Sequence, residues 1–412
     1  MKRLIMAQVR QHFARPHVED LPLEIIRQMQ RLKNVVRPGM SVAITAGSRG
    51  INGIAAILRT VVKTLRDMGA EPFIVSAMGS HGGGTVAGQE AVLRHLGITS
   101  DAVGAPLRIT SKAVEAGVTE SGHILYVDAE AAMADAILVV NRIKPHTAFR
   151  SLLASGLFKM LTVGLGKVPG ATQVHRLGPS GMYKAMSEMG RLAIKRLPVI
   201  GGLAIVENGY EETAHIECML PEEMEERERK LLEMAVSLLP CLPVRELDLL
   251  IVEEMGKNYS GTGMDTNVIG RWKAKGLPEP DYPRLKRIVV LNLSDTSGGN
   301  ANGIGLADFT TQKLVKKIDW KTTLTNVRTT GFWDRAFCPP FLANDREAIA
   351  WALESLKLPP EVPISAVRIR NTLHLEELWL TPMALKAATN CEQIGTFRPL
   401  EYNEEGDLLP AG

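Results

Sequence analysis

The sequence predicts an α/β protein of two α/β domains with mainly parallel sheets, and an active site in the cleft between them. Short β-branched runs alternate with longer amphipathic segments, which is the pattern of βαβ units. The chain has 412 residues, 45% of them hydrophobic, which is enough for two cores. Pro240 and Pro243 interrupt the pattern, so we place the domains at residues 1–245 and 246–412.

The first half of the chain predicts four strands, at residues 41–45, 73–78, 136–141 and 203–206. Residues 51–68 carry apolar side chains at helical spacing, and Gly69 ends this predicted helix. Thr85 is the predicted N-cap of the following helix. Because ligands bind beyond the carboxyl ends of parallel strands, the polar loops after the first three strands are the candidate site.

The second half begins after a charged helix that is predicted over residues 221–239. Two more strands are predicted, at residues 249–252 and 288–293, followed by a helix at residues 345–356. The polar tail from Pro399 is expected to be poorly ordered.

Charge and cysteine content exclude several classes of protein. The 48 basic and 45 acidic residues give a net charge of +3, which over this length favours neither nucleic acid nor an anionic membrane as partner. We find no signal peptide and no apolar run that would span a bilayer. The four widely separated cysteines predict free thiols, so a cytoplasmic protein is expected.

Two histidines lie in loops after predicted strands. His81, in the stretch AMGSHGGGT, is surrounded by glycines that permit close approach of a ligand; alternatively, it is incidental to a surface loop. His146, in NRIKPHTAFR, lies among Arg142, Lys144 and Arg150, which favour a neutral imidazole and attract anions. A solvated basic loop is the alternative reading of that segment.

Lys159 and His175 lie in the stretch SGLFKMLTVGLGKVPGATQVHR. Lys159, within an apolar run, either extends to solvent or is a buried amine with a perturbed pKa; taken alone, the first is favoured. His175 is an ordinary helical histidine or a metal ligand whose partners the spacing does not reveal. Neither GxGxxG nor GxxxxGK[ST] is present, so ordinary dinucleotide or NTP binding is only weakly indicated.

Taken in order, these motifs resemble the nickel-pincer-nucleotide-dependent lactate racemase family. The motifs are SRG at residues 48–50, GSHGG at 79–83, KPH at 144–146, then Lys159 and His175 sixteen residues later. The resemblance is clear over roughly residues 40–180. In the second half, MDTNVIGRWK is similar to a DxN segment of the family.

The resemblance implies an isomerase that racemises or epimerises a 2-hydroxy acid and depends on cofactor-maturation proteins. Lys159 corresponds to the lysine bonded to the pincer nucleotide, and His175 to the nickel ligand. His81 and His146 correspond to the paired acid and base. The implied cofactor and substrate contacts are Ser48, Arg49, Gly79, Ser80, Lys144 and Lys273, with Arg49 and Lys144 as the candidates for the substrate carboxylate.

Two departures from the family pattern bear on the substrate. Ala46 stands where the family has an aspartate, and Gly270 where it has a glutamine that contacts substrate. The glycine is interpreted as leaving space for a larger acid, such as a sugar acid. Three alternatives remain: an NAD-dependent dehydrogenase, a non-catalytic protein that binds a nucleotide or nickel cofactor, and a family member that has lost the metal.

Overall fold

The structure, a computed structural model, describes residues 4–147, 153 and 155–410. Contacts between residues divide the chain into two compact units. The central unit comprises residues 14–146, 153 and 155–239. The terminal unit comprises residues 4–13, 147 and 240–410. The predicted fold class is confirmed, because the central unit is built on a mainly parallel sheet and the terminal unit on a mixed sheet in which five neighbouring strands are parallel, both with helices.

The sheet of the central unit has its strands in this order: Leu107–Arg108, Glu71–Ser76, Ser41–Ala46, Ala136–Arg142, Val199–Glu207 and Thr213–Met219. Neighbours are parallel except at the last strand, which is antiparallel. The Ser41–Ala46 strand has the next strand of the chain on one side and the Ala136–Arg142 strand on the other. It therefore lies at a switch in topology, where crevices at the carboxyl ends of strands hold ligands.

Helices of the central unit span these residues: Leu21–Met29, Ile54–Asp67, Val86–His95, Ser100–Val103, Ala129–Ala132, Leu157–Lys159, Lys167–Arg176, Gly178–Arg196 and Met224–Ser237. The helix predicted from residue 51 begins at Ile54, because Gly53 is left-handed with φ of 66°. Thr85 caps the following helix as predicted, accepting a bond from the amide of Gly88. A hairpin of Ala113–Val118 and Ile124–Asp128, which the sequence did not indicate, completes the unit.

The sheet of the terminal unit has this order: Phe341–Leu342, Phe309–Thr311, Arg284–Leu293, Glu246–Met255, Ala366–Ile369, Glu377–Leu380, Ile5–Gln11 and Cys391–Gln393. Leu250 and Val252 pack into one core, whereas Leu249 and Ile251 pack into another. Both faces of this sheet are therefore covered, as parallel strands require. Its helices are Thr266–Ile269, Gln312–Lys316, Trp320–Thr330, Asp345–Ser355 and Pro382–Ala387.

Residues 4–13 and residues 240–410 both belong to the terminal unit. The Arg398–Pro399 strand pairs with the Ile5–Gln11 strand. Beyond it, Leu400, Tyr402 and Leu408 pack against the core. The expectation of a poorly ordered tail was wrong over these residues, because three large side chains in a polar stretch are enough to anchor it. No helix of the described chain is long and apolar enough to cross a membrane, and all four cysteines are free thiols.

Candidate functional site

Three loops leave the carboxyl ends of adjacent strands in the central unit. The first, with Ser48 and Arg49, follows the Ser41–Ala46 strand; the second, with Gly79 to His81, follows Glu71–Ser76. The third, with Lys144 and His146, follows Ala136–Arg142. Since these strands are neighbours in one parallel sheet, the loops emerge at the same edge, as the sequence predicted.

Lys159 lies at the end of a short helix, Leu157–Lys159, which continues as a π-helical turn over Met160–Gly164. Turns of this kind are rare and occur frequently at functional sites. The start of this helical segment is held against the sheet, where Leu157 packs into the space left by Gly202. This π-helical turn was not predicted from the sequence.

All three loops approach this helical segment. The amide of Gly79 donates to the carbonyl of Gly164 at 3.0 Å, and a Cβ at Gly79 would lie 3.1 Å from the carbonyl oxygen of Val163. A Cβ at Gly47 would lie 3.3 Å from the end of Met160. Asn141, at the end of its strand, donates its side-chain amide to the carbonyl of Gly156 at 2.9 Å. Tertiary structure thus brings segments far apart in sequence around Lys159.

Four basic side chains interact near this point. Burial and the charge of Arg49 lower the pKa of Lys159 to about 8. Burial and the charge of Lys159 lower the pKa of His175 to about 4, so this imidazole is neutral at pH 7. Desolvation and the charge of Arg142 lower the pKa of Arg49. Lys159 keeps part of its surface accessible, but its lowered pKa fits the reading as a perturbed amine rather than a lysine that extends freely to solvent.

His175 lies on the last turn of the Lys167–Arg176 helix. Its Nδ1 atom is buried and has no hydrogen-bond partner among the described residues. A buried ring nitrogen without a partner is costly unless it serves a ligand or a metal. The structure therefore gives His175 a property that the sequence did not show.

His81 is an exposed residue at the start of a glycine turn, His81–Gly84. Its Nδ1 atom lies 2.8 Å from the carbonyl oxygen of Met78. Because a carbonyl only accepts hydrogen bonds, the neutral ring carries its proton on Nδ1, and Nε2 is the basic nitrogen. Gly82, Gly83 and Gly84 all have positive φ, between 63° and 69°, which explains why this turn is made of glycine.

His146 and Lys144 lie in the third loop, both partly buried. Lys144 exchanges two backbone hydrogen bonds with Ser155, which ties this loop to the segment before Lys159. Arg142 forms an ion pair with Glu207. Part of its positive charge is thereby compensated by a carboxylate that the sequence prediction did not include. Arg150 lies outside the described residues.

The predicted contacts from the second half belong to the terminal unit. Lys273 donates to the carbonyl of Gly305. Gly270 ends the Thr266–Ile269 helix in a left-handed conformation, and a Cβ there would overlap the carbonyl oxygen of Pro283. The interpretation of Gly270 as extra space for substrate was wrong: the backbone of Pro283 occupies that space, and glycine is required by the turn. The predicted location of the site in a cleft stays a prediction.

Sequence reasoning missed two buried residues that support the site. Glu228 is 1% exposed and accepts a bond from the amide of Phe158 at 3.1 Å, which caps the helix of Lys159. Its run of charged neighbours gave the appearance of a solvated helix face. Lys167 is likewise 1% exposed. Its position eight residues before His175 was the available signal, but a lysine in sequence alone does not reveal burial.

Replacing Arg49 with glutamine is expected to raise the pKa of Lys159, because the nearby positive charge that disfavours the ammonium is removed. Competitive acylation followed by mass spectrometry measures this pKa in the protein without cofactor. At pH 8, acylation of Lys159 should fall about threefold in the variant, the effect of losing a weak charge interaction. The exposed Lys195 is the internal reference. An unchanged Lys159 profile would contradict the assigned interaction.

Comparison with known proteins gives a fold but no sequence relative. No protein-family model and no curated protein matches the sequence. Among solved structures, the chain is similar to the lactate racemase apoprotein from Thermoanaerobacterium thermosaccharolyticum, with a TM-score of 0.53 and 12% identity. The similarity covers 89% of this chain and 98% of that one. The chain therefore shares its fold with a lactate racemase over nearly its whole length.

Proposed function

We propose that the protein is a racemase or epimerase of a 2-hydroxy acid that works with a nickel-pincer nucleotide, with His81 and His146 as acid and base. The observation that carries this proposal is the approach of three strand-end loops to the helical segment of Lys159, whose charge in turn acts on His175. The shared fold with a lactate racemase supports it. The ordered motifs noted in the sequence fall on these same loops and helices.

The side chains present fit the implied cofactor. Lys159 offers an amine with a pKa of about 8, which is partly unprotonated at neutral pH and suited to covalent attachment. The neutral His175, with its buried and unpartnered Nδ1, suits a nickel ligand. Arg49, with Ser48, Gly79 and Ser80 of the loops, would hold the anionic groups of the nucleotide. Lys273 remains a predicted cofactor contact.

Among the described residues, no group of three or more histidine, cysteine, aspartate or glutamate side chains is arranged to hold a metal ion. A centre built from side chains alone is therefore not part of the proposal. Held by Lys159 and His175, the pincer nucleotide would supply reversible hydride transfer at the α-carbon of the substrate. This chemistry belongs to the cofactor, and the protein supplies orientation and proton transfer.

The roles of the protein's own residues follow from their protonation. Nε2 of His81 is the basic nitrogen and would take the hydroxyl proton of one enantiomer. His146 would act on the other, so that one histidine accepts a proton and the other donates one in each turnover. Arg49 or Lys144 would hold the substrate carboxylate. Removal of the hydroxyl proton together with the hydride of the α-carbon would leave a planar 2-keto acid, and return of both would give either stereoisomer.

The test is to produce the chain together with cofactor-maturation enzymes in nickel-supplemented cells and to measure the intact mass and the nickel content. We expect a mass increment of nucleotide size with nickel in the wild type and in Lys195→Ala. Both should be lost in Lys159→Ala. An unmodified mass and no nickel, under conditions that load an authentic lactate racemase, would overturn the proposal.

The alternatives give different outcomes in the same preparation. A dehydrogenase that uses free NAD would contain no nickel and would reduce NAD with a 2-hydroxy acid. A non-catalytic carrier would contain the cofactor but would not epimerise any 2-hydroxy acid in a screen. Nickel content therefore separates the first alternative from the proposal, and turnover separates the second.

A further inference from the structure

Lys167 forms the centre of a fully buried polar network in the central unit. Its ammonium lies 2.6 Å from Oδ2 of Asp128 and 2.6 Å from the carbonyl oxygen of Ser76. It also lies 2.8 Å from Oγ of Ser76 and 3.2 Å from Oε1 of Gln89. All four residues are at most 1% exposed. Three oxygen-bearing side chains and a carbonyl therefore surround an ammonium that has only three protons to donate.

The network holds both ends of the loop that carries His81. Ser76 is the last residue of the strand before the loop, and Gln89 lies on the helix after it. The side-chain amide of Gln89 donates to the carbonyl of Gly79 at 3.1 Å and lies 3.5 Å from that of His81. Because Lys167 contacts both Ser76 and Gln89, this buried ammonium joins the two ends of the loop.

The same lysine fixes the helix that carries His175. Lys167 is the first residue of the Lys167–Arg176 helix. Its φ of 51° is left-handed, a conformation that disfavours any residue other than glycine, asparagine or aspartate. A strained backbone persists only where its surroundings impose it, and the four contacts of the ammonium are the interactions that do so here. The start of this helix is thus tied to the His81 loop.

We infer that Lys167 is a positioning residue, which fixes the loop of the base His81 relative to the helix of the nickel ligand His175. This inference rests on the proposed function for the roles of the two histidines. Asp128 supplies the counter-charge that allows the ammonium to be buried. Gln89 connects Lys167 to the loop, because its side-chain amide donates to the backbone carbonyls of Gly79 and His81.

Two variants remove the hydrogen bonds that hold the loop, and neither leaves a buried charge without its partner. Gln89→Leu keeps the ion pair but removes the bonds to Ser76, Lys167 and Gly79. The double variant Asp128→Asn with Lys167→Met removes both charges together. Leu65→Ala, in the core under the Ile54–Asp67 helix, is the matched control for loss of stability with the network of Lys167 left intact.

The measurement is amide hydrogen exchange of residues 77–85, with NMR of the His81 ring, in the protein without cofactor. In both test variants we expect exchange of this loop to rise about tenfold or more above that in Leu65→Ala, as loss of a hydrogen bond predicts. The ring signal of His81 should shift or broaden, and that of the exposed His95 should not. A merely structural role would instead raise exchange evenly across the unit.

Loop exchange equal to that of Leu65→Ala, with an unchanged His81 signal, would overturn the inference. The outcome does not depend on cofactor loading. Faster exchange of the loop in a protein that never binds nickel would support the positioning role and contradict the proposed function. A protein that binds nickel and shows no change in loop exchange in the variants would support the proposed function and contradict the positioning role.

Discussion

Replacing His81 or His146 with glutamine is expected to lower epimerisation of a 2-hydroxy acid by 10²–10⁴-fold, the usual contribution of a positioned acid or base. Each replacement should slow both directions, because every turnover needs one histidine to accept a proton and the other to donate one. Glutamine keeps a side chain that forms hydrogen bonds but has no titratable nitrogen. The rate is measured on protein loaded with cofactor, from each enantiomer separately.

The control for this experiment is His95→Gln. His95 is exposed at the end of the helix that follows the His81 loop, so its loss should leave the rate unchanged. Nickel content and intact mass must match the wild type, so that a lower rate reports proton transfer rather than loading. Equal rates in wild type, His81→Gln and His146→Gln would exclude the two histidines as acid and base.

Replacing Glu228 with glutamine is expected to remove a pH dependence of stability in the central unit. Burial raises the pKa of Glu228 to about 7 in the folded state, above its ordinary value of 4.5. Between these values the unfolded chain releases a proton that the folded chain keeps. Stability therefore falls as the pH rises from about 4.5 to about 7, and the loss is of the order of 3 kcal/mol. Glutamine does not ionise, so this part of the slope disappears.

Urea unfolding at pH 4.5, 6 and 8 measures this effect, with Glu226→Gln as the control on the same helix. Glu226 is exposed and forms an ion pair with Lys230, so its replacement should leave the slope in place. All five tryptophans lie in the terminal unit, so their fluorescence does not report on Glu228. Unfolding in urea is therefore followed by hydrogen exchange of the Ala136–Arg142 strand, which belongs to the central unit. Parallel curves for wild type and Glu228→Gln would show that this carboxyl ionises normally.

Local sequence was sufficient for the strands and for the loops that follow them. Residues 41–45 and 136–141 are apolar β-branched runs, and the structure has strands at Ser41–Ala46 and Ala136–Arg142. The cap at Thr85 was also predictable, since its side chain bonds to an amide three residues away. The start of the first helix was less accurate, because a left-handed Gly53 is a matter of backbone geometry rather than of periodicity.

The partners of buried polar groups were not predictable, because they come from distant parts of the chain. Lys167 contacts Asp128 and Ser76, which lie 39 and 91 residues away. Glu228 contacts the amide of Phe158, 70 residues away. Nothing in the local pattern distinguishes such side chains from solvated ones. Likewise, Gly270 looked like an opening for substrate until the position of Pro283 was known.

By itself the sequence determined the α/β class, the strand-end loops and the chemical types of the candidate residues, because these depend on composition and on spacing along the chain. Only the tertiary structure decided that the loops approach the helical segment of Lys159, that burial and Arg49 lower the pKa of this amine, and that Nδ1 of His175 has no partner among the described residues. These properties depend on desolvation and on charges brought together through space. No arrangement of residues along the chain specifies them until the sheet has formed.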